Sequence, residues 1–183
     1  MELTTTRLRL DALRESDADA LFQYRSNPAV ARYQGWCPAS RDEASDFIAS
    51  QQRASLDIPD SWLQFAIRLS TDGSLIGDLG LHIPVEAGGS YEFGITIAPA
   101  HQGKGYAREA VHALLTWLFQ TLDARRVHAS IDPRNLPSAA LLRSLGMRQE
   151  AHFRESLKLR NEWVDDVVFA LLAREWPAAD AGR

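Results

Sequence analysis

Residues 97–107 read Ile-Ala-Pro-Ala-His-Gln-Gly-Lys-Gly-Tyr-Ala and separate a strand-like pattern from a long helical one. Gly103 and Gly105 therefore stand just before the first turn of a predicted helix. The free backbone N–H groups of a helix N-terminus carry partial positive charge, and glycine lets an anion approach the main chain without a Cβ in the way. The stretch predicts a strand, an anion-binding turn and a helix.

The two common nucleotide-binding motifs fit this turn poorly. A P-loop needs Gly-x-x-x-x-Gly-Lys-Ser/Thr, which is absent, and Arg108 occupies the place of the third glycine of a Rossmann fingerprint. Asp123 has the spacing of a ribose-binding acid, but the pattern places it near a helix end and not at a strand tip. A plain strand-to-helix turn stays open as an interpretation of the two glycines.

Hydrophobic periodicity divides the rest of the chain into strands and helices. Before the turn, the predicted elements are a strand over 7–10, a helix from Asp17 that Asn27-Pro28 breaks, a loop over 33–38, a helix from Ser40 to about Ser55, and strands over 62–69, 74–83 and 90–97. From the turn onward, they are a helix from about Lys104 to Gln120, a strand over 126–131, a helix over 135–145 closed by Gly146, and strands near 148–159 and 163–172. This order predicts a mixed α+β fold in which strands predominate and the central ones form an antiparallel meander.

Length and composition are those of an ordinary globular domain, 183 residues with 45% hydrophobic and 24% charged. The net charge of -4 disfavours a sequence-independent nucleic-acid binder, which needs a basic surface. With Cys37 as the single cysteine and no close pair among the five histidines, neither a disulfide nor a metal site is predicted. No stretch approaches the roughly 20 apolar residues of a membrane span, so we expect a cytoplasmic protein that does not bind membranes.

Several short motifs occur together in one order along nearly the whole chain. Gln102 to Ala107 match the pattern Gln/Arg-x-x-Gly-x-Gly/Ala of the GNAT pyrophosphate loop. The flanking pieces are Arg7-Leu8-Arg9-Leu10, Glu92-Phe93-Gly94-Ile95, Arg108-Glu109-Ala110, Asn135-Leu136-Pro137-Ser138, Leu145-Gly146-Met147 and Trp163-Val164-Asp165. In combination they resemble the GNAT superfamily of N-acetyltransferases, and within it the Rim-type branch of ribosomal-protein-alanine acetyltransferases and their relatives.

The resemblance implies one GNAT domain over residues 1–176, followed by a C-terminal tail over 177–183. It implies a mostly antiparallel central sheet, flanked by helices and splayed where acetyl-CoA binds. Pantetheine hydrogen bonds would go to the exposed backbone of the splayed strand, at Ile95 and Ile97. The cofactor-binding residues that the resemblance implies are Ile95, Ile97, Gln102, Gly103, Lys104, Gly105, Tyr106, Ala107 and Asn135, with no metal.

Two residues are candidates for proton transfer. Glu92 can take the proton of the attacking amine, although a solvent-facing strand residue would produce the same pattern. GNAT enzymes usually carry a tyrosine seven residues after the asparagine of the Asn135 motif, and here that place is Leu142. Rim-type enzymes carry a serine at the place that Ser138 occupies in this motif. The resemblance therefore implies that Ser138 protonates the leaving thiolate. Asn135 and Ser138 also suit a helix N-cap and a first helical turn.

These observations predict an acetyl-CoA-dependent N-acetyltransferase that acts on a primary amine by direct attack, without a covalent enzyme intermediate. The acceptor would be a protein N-terminus or a small-molecule amine, and the protein a monomer or a homodimer. Two other functions stay open: a catalytically silent acyl-CoA-binding adaptor and, more distantly, a dinucleotide-binding module.

Overall fold

A computed structural model describes residues 2–159 and 161–177. Within them, the strands are β1 (Leu3–Thr4), β2 (Leu8–Ala12), β3 (Ser61–Leu69), β4 (Leu75–Ile83), β5 (Ser90–Ile97), β6 (Arg126–Ile131), β7 (Arg148–Leu159) and β8 (Glu162–Leu172). The helices are α1 (Ala18–Arg25), α2 (Pro28–Ala31), α3 (Arg41–Gln51), α4 (Tyr106–Thr121) and α5 (Leu136–Ser144). Single 3-10 turns cover Glu15–Asp17, Pro99–His101 and Ala173–Glu175.

The strands form one mixed sheet in the order β1-β2-β3-β4-β5-β6-β8-β7. All neighbouring strands pair antiparallel except β5 and β6, which are parallel. The parallel pairing is short, because it covers only Ser90, Tyr91 and Glu92 of β5. Beyond Glu92 the two strands separate, and this confirms the predicted splay in a mostly antiparallel sheet.

One face of the sheet packs against α4. The side chains of Val111, Leu114 and Leu118 recur at helical spacing and are fully buried against the strands. Phe93 and Val127 meet them from β5 and β6, since alternate strand residues point to the same face. Burial of each large apolar side chain contributes about 1.5–3 kcal/mol, so this layer fixes α4 and the turn that precedes it.

The opposite face, which we call the α1 face, is covered only in part. Leu21 of α1 and Ile48 of α3 pack over Ala66 of β3 in a smaller apolar cluster. Asp78, on the adjacent strand β4, is buried beneath the same helices. Towards the splay, the face carries half-exposed polar and aromatic side chains, and it is therefore the open side of the molecule.

The structure corrects several predicted boundaries. Helix α4 begins at Tyr106 and not at Lys104, because Gly105 has φ 81°, a left-handed conformation outside the helix. Helix α3 ends at Gln51, four residues before Ser55. The sequence patterns also missed β1 and the four-residue helix α2. Asn27 begins that helix by accepting a hydrogen bond from the Ala29 amide, so Asn27-Pro28 both ends one helix and starts another.

Of the predicted C-terminal tail, residues 178–183 lie outside the described part of the chain. Among the helices that the structure describes, none is both long and apolar enough to cross a membrane.

Candidate active site

The glycine turn connects the end of β5 to the start of α4. Gly103 and Gly105 both have left-handed backbones, with φ 73° and 81°. The Gln102 side chain turns back and donates from Nε2 to the Ile97 carbonyl oxygen at 2.8 Å. That bond closes the turn onto the strand, so the side chain of Gln102 braces the turn and leaves anion contacts to the backbone.

Arg7 and Glu109 stabilise the same turn by hydrogen bonds. The Arg7 guanidinium donates to the Lys104 carbonyl oxygen at 3.0 Å and to Glu109 Oε2 at 2.6 Å, and lies 4.6 Å above the Tyr106 ring. Burial would raise the pKa of Glu109, but hydrogen bonds from Thr5 and Arg7 outweigh it and lower that pKa below its usual range. The sequence pattern predicted only that Arg7 lies in a strand. It did not indicate this contact, which joins chain segments about a hundred residues apart.

The first turn of α4 has free backbone donors. Gly105 is the N-cap and makes no side-chain cap hydrogen bond. The Tyr106 and Ala107 amides, in the first turn, thus receive no hydrogen bond from a capping side chain. The helix dipole favours an anion at this position. A Cβ built at Gly103 would meet nothing within 4 Å, so the approach to the turn is open.

Strand β5 presents a second set of free donors along the splay. The Ala98 amide donates to Ile76 of β4 at 2.8 Å, and backbone direction alternates along a strand. The amides of Ile97 and Ile95 therefore face the opposite edge, towards β6. Beyond Glu92 no residue of β6 pairs with β5, so these donors line the gap between the two strands.

The register of β3, β4 and β5 arranges side chains on the α1 face in three rows. The first row lies nearest the pairing with β6, and the third lies beneath α1 and α3. The first row is Trp62, His82 and Glu92; the second, the glycine row, is Gln64, Gly80 and Gly94; the third is Ala66, Asp78 and Thr96.

Glu92 is half-buried at the apex of the splay. Burial raises the pKa of its carboxyl group, His82 opposes this shift and Asp166 adds to it. The His128 ring lies nearby, with Nε2 at 3.7 Å from Glu92 Oε2. Because 3.7 Å is longer than a hydrogen bond, neither carboxylate oxygen has a hydrogen-bond donor in the described part of the chain, and both can accept a proton.

His128 is held from behind by a short chain of hydrogen bonds. Arg126 Nη1 donates to Ser90 Oγ at 3.0 Å, and Ser90 Oγ lies 3.1 Å from His128 Nδ1. Burial and Arg126 lower the pKa of His128, which favours the neutral ring. No local pattern indicated this arrangement, because it depends on the pairing of β5 with β6.

Asn135 and Ser138 lie on the other side of the splay, after β6. Asn135 caps α5, since its side chain accepts from the Ser138 amide at 3.3 Å. The Ser138 hydroxyl is half-buried and has no hydrogen-bond partner among residues 2–159 and 161–177. Leu142, which stands in the place of the usual tyrosine, is buried in the core. In the first turn of this helix, the Ser138 hydroxyl is thus able to supply a proton.

Comparison with known proteins identifies the family. A family model described as acetyltransferase (GNAT) domain matches residues 7–148. The chain belongs to the GNAT acetyltransferase family. This membership confirms the predicted fold and the predicted class of enzyme, an N-acetyltransferase.

Individual GNAT relatives agree with this membership. An uncharacterized N-acetyltransferase, p20 of Bacillus licheniformis, is 34% identical over 175 residues, which are 95% of this chain and 97% of that protein. A crystal structure of a GNAT acetyltransferase from Bacillus anthracis is 27% identical with a TM-score of 0.85, over 96% of this chain and 100% of that one. The [ribosomal protein uS5]-alanine N-acetyltransferase of Escherichia coli (strain K12) is 32% identical over 83 residues, 45% of this chain and 43% of that protein. This relative is consistent with the predicted Rim-type branch.

The GNAT fold brings the predicted site residues to one cleft but in two groups. The turn residues 102–107 lie at the open end of the splay, Ile95 and Ile97 line it, and Glu92 lies at its apex. Asn135 and Ser138 approach from the β6 side, where the Tyr33 hydroxyl donates to the Arg134 carbonyl oxygen at 3.3 Å. In the described part of the chain, no group of three or more His, Cys, Asp or Glu side chains is placed to hold a metal ion.

Proposed function

We propose that this N-acetyltransferase moves the acetyl group of acetyl-CoA onto a primary amine by direct attack, as a cytoplasmic enzyme. One observation carries the proposal: a half-buried carboxylate, Glu92, at the apex of a splay whose edge presents free backbone amides. An acyl carbonyl needs hydrogen-bond donors as charge develops on its oxygen, and an attacking ammonium must first lose a proton. Both requirements meet at this apex.

Acetyl-CoA fits the splay from the glycine turn inward. Its pyrophosphate would contact the backbone of residues 102–107, where uncapped amides and a left-handed glycine pair leave room for an anion. Its pantetheine arm would run along β5 and bond to Ile95 and Ile97. Asn135, at the start of α5, would flank the arm from the β6 side.

In the proposed reaction, Glu92 removes a proton from the amine, directly or through water. A pKa raised by burial makes this carboxylate a stronger base than an exposed one, which suits work near neutral pH. The amine nitrogen bonds to the carbonyl carbon, the carbon–sulfur bond breaks, and the Ser138 hydroxyl protonates the thiolate. The hydroxyl then regains a proton, directly or through water, from the nitrogen of the new amide. The β5 amides stabilise the negative charge that develops on the carbonyl oxygen of the acetyl group. Alignment of the two substrates supplies further acceleration.

The function is tested by release of free thiol from acetyl-CoA in the presence of amines. The panel includes peptides that begin with alanine or serine, polyamines and aminoglycosides, because the acceptor is proposed as a protein N-terminus or a small-molecule amine. Acetylation of at least one amine is expected. If CoA bound and no amine were acetylated, an acyl-CoA-binding adaptor would be the better description.

Cofactor binding is tested at the glycine turn by thermal stabilisation with CoA, since a ligand of the native state raises its stability. Gly105→Val combines a bulky side chain with backbone strain, because φ there is 81°. Gly105→Asn separates the two effects, since asparagine tolerates left-handed φ. We expect Gly105→Asn to fold and to lose most of the CoA-induced rise in Tm.

Gly146→Asn is the matched control for that substitution. Gly146 has φ 82°, nothing within 4 Å of its Cβ position, and a place after the C-terminal end of α5, the end opposite Asn135. The control should keep the full stabilisation by CoA. Unchanged CoA binding in folded Gly105→Asn would remove the turn from the cofactor site, and stabilisation by NAD in place of CoA would favour a dinucleotide module.

A further inference from the structure

The glycine row leaves a hollow in the α1 face. Gly80 and Gly94 face each other across β4 and β5, so two neighbouring positions lack a side chain. Gly80 is covered, because a Cβ there would lie 2.9 Å from Gln64 Oε1 and 3.3 Å from Trp62 Cε3. At Gly94 a Cβ would meet nothing within 4 Å, so the hollow is open above Gly94 alone.

Gly94 also lies where the splay begins. Glu92 is the last residue of β5 that pairs with β6, and Gly94 is the next residue on the α1 face. The backbone there borders both the hollow and the gap lined by the Ile95 amide. A molecule bound in the gap would therefore lie on one side of the Gly94 backbone, and a molecule bound in the hollow on the other. No side chain of residue 94 stands between them.

The walls of the hollow are chemically suited to an amine substrate. Glu92 stands on one side in the same strand, and the indole of Trp62, 46% exposed, borders it in the first row. On the other side Thr96 is 5% exposed and its Oγ1 is enclosed, so Thr96 offers a substrate no accessible polar atom. The hollow therefore joins a base and an apolar wall.

We propose that Gly94 determines acceptor specificity: the carbon that carries the reacting amine rests directly on the Gly94 backbone, and the missing Cβ makes room for a substituent on that carbon. This inference rests on the proposed function. It assigns the enzyme to amines with an α-substituent, such as a peptide N-terminus that has a side chain. A methyl group at position 94 would occupy the space of that substituent.

The test compares wild type with Gly94→Ala on two acceptors that differ by one methyl group. For peptides these are a glycyl and an alanyl N-terminus, and for small amines the best substrate of the panel and its analogue without the α-methyl group. One methyl group changes kcat/KM by about 10- to 200-fold in a fitted pocket. We expect Gly94→Ala to lose kcat/KM on the α-methyl acceptor by at least about tenfold more than on the unsubstituted one.

Two further measurements make the result specific. CoA affinity of Gly94→Ala should equal that of wild type, and its Tm should be equal or higher, since alanine is less flexible than glycine and its Cβ meets nothing. An equal loss of kcat/KM on both acceptors would overturn the inference. A loss of kcat/KM that depends on the acyl group, when propionyl-CoA replaces acetyl-CoA, would also overturn it. Wild type that acetylates no amine would remove the proposed function itself, whereas an active wild type with an indifferent Gly94→Ala removes only this inference.

Discussion

Asp78 and Glu92 are two carboxylates on the same face of the same sheet, one on β4 and the other on β5, and their surroundings are opposite. Asp78 is fully buried and accepts hydrogen bonds from Tyr24 at 2.7 Å, from Arg25 and from Gln64. Glu92 is half-exposed, and the His128 ring lies 3.7 Å from its carboxylate, beyond hydrogen-bond distance.

The difference separates a carboxylate saturated by structural contacts from one whose environment suits the proposed base. Both carboxylate oxygens of Asp78 accept hydrogen bonds, and the buried Arg25 guanidinium balances the charge of Asp78. Glu92 is desolvated enough to have a raised pKa, yet its oxygens have no donor within hydrogen-bond distance. A carboxylate that must bind and release a proton needs this second environment.

The largest effect is expected from Asp78→Ala. It leaves Arg25, 10% exposed at its side chain, as a buried charge without its partner. Loss of one member of a buried ion pair costs about 3–5 kcal/mol, a large part of the stability of a domain. Urea unfolding would measure the change.

Asp42→Asn serves as the control for Asp78→Ala, because Asp42 is exposed on α3 and should change the free energy of unfolding by less than about 0.5 kcal/mol. A loss below about 1 kcal/mol in Asp78→Ala would contradict the structural role of this carboxylate.

Glu92→Gln should reduce turnover by about 100-fold or more at pH 6, with the protein still folded. The deficit should shrink as pH rises through the pKa of the acceptor, about 7.7–8.0 for an α-amine, because a neutral amine needs no base. Turnover is measured against pH with saturating acetyl-CoA. A loss independent of pH would make Glu92 a positioning group.

The same variant has a signature in stability. Because burial raises the pKa of Glu92, the folded state binds more protons than the unfolded state between the two pKa values, and stability falls as pH rises through that window. Glutamine has no such loss. The Tm of Glu92→Gln relative to wild type should therefore increase from acidic to neutral pH, and a constant difference would contradict the raised pKa.

Ser138→Ala should lower turnover by about tenfold to 100-fold and leave CoA affinity unchanged, because a general acid acts only as the thiolate departs. The defect should be smaller with a thioester whose thiol is a better leaving group. Comparison of acetyl-CoA with an acetylated aryl thiol checks this. If Ser138→Ala turned over like wild type, the serine would be a residue of the first helical turn only.

His128→Ala should have the smallest effect, below about tenfold on turnover, because the His128 ring lies 3.7 Å from Glu92 Oε2 and makes no hydrogen bond to it. His128 would shield the Glu92 carboxylate from water, so His128→Gln, which keeps part of the bulk, should recover part of the loss. The pH profile of the alanine variant should shift to lower pH, since greater exposure lowers the pKa of Glu92. A loss equal in both variants, without a pH shift, would indicate a packing role.

Much of the fold followed from local patterns. Helical spacing at Val111, Leu114 and Leu118 predicted α4, and Gly146 predicted the end of α5, where it has φ 82°. The errors arose where tertiary contacts override local preference. The short helix α2 lacks the length that periodicity needs, and β1 is a strand of two residues defined only by its pairing with β2.

The sequence by itself determined the order of elements and the glycine turn, because these depend on residue type and on spacing along one segment. Its resemblance to the GNAT family indicated Glu92, Asn135 and Ser138 as candidates. Only the tertiary structure decided which carboxylate is saturated and which is free, that Arg7 holds the turn, that His128 faces Glu92, and that Gly94 opens while Gly80 is covered. Each of these depends on the register between strands or on contacts between distant segments. Register is a property of pairing, and one strand's sequence does not contain its partner's alignment.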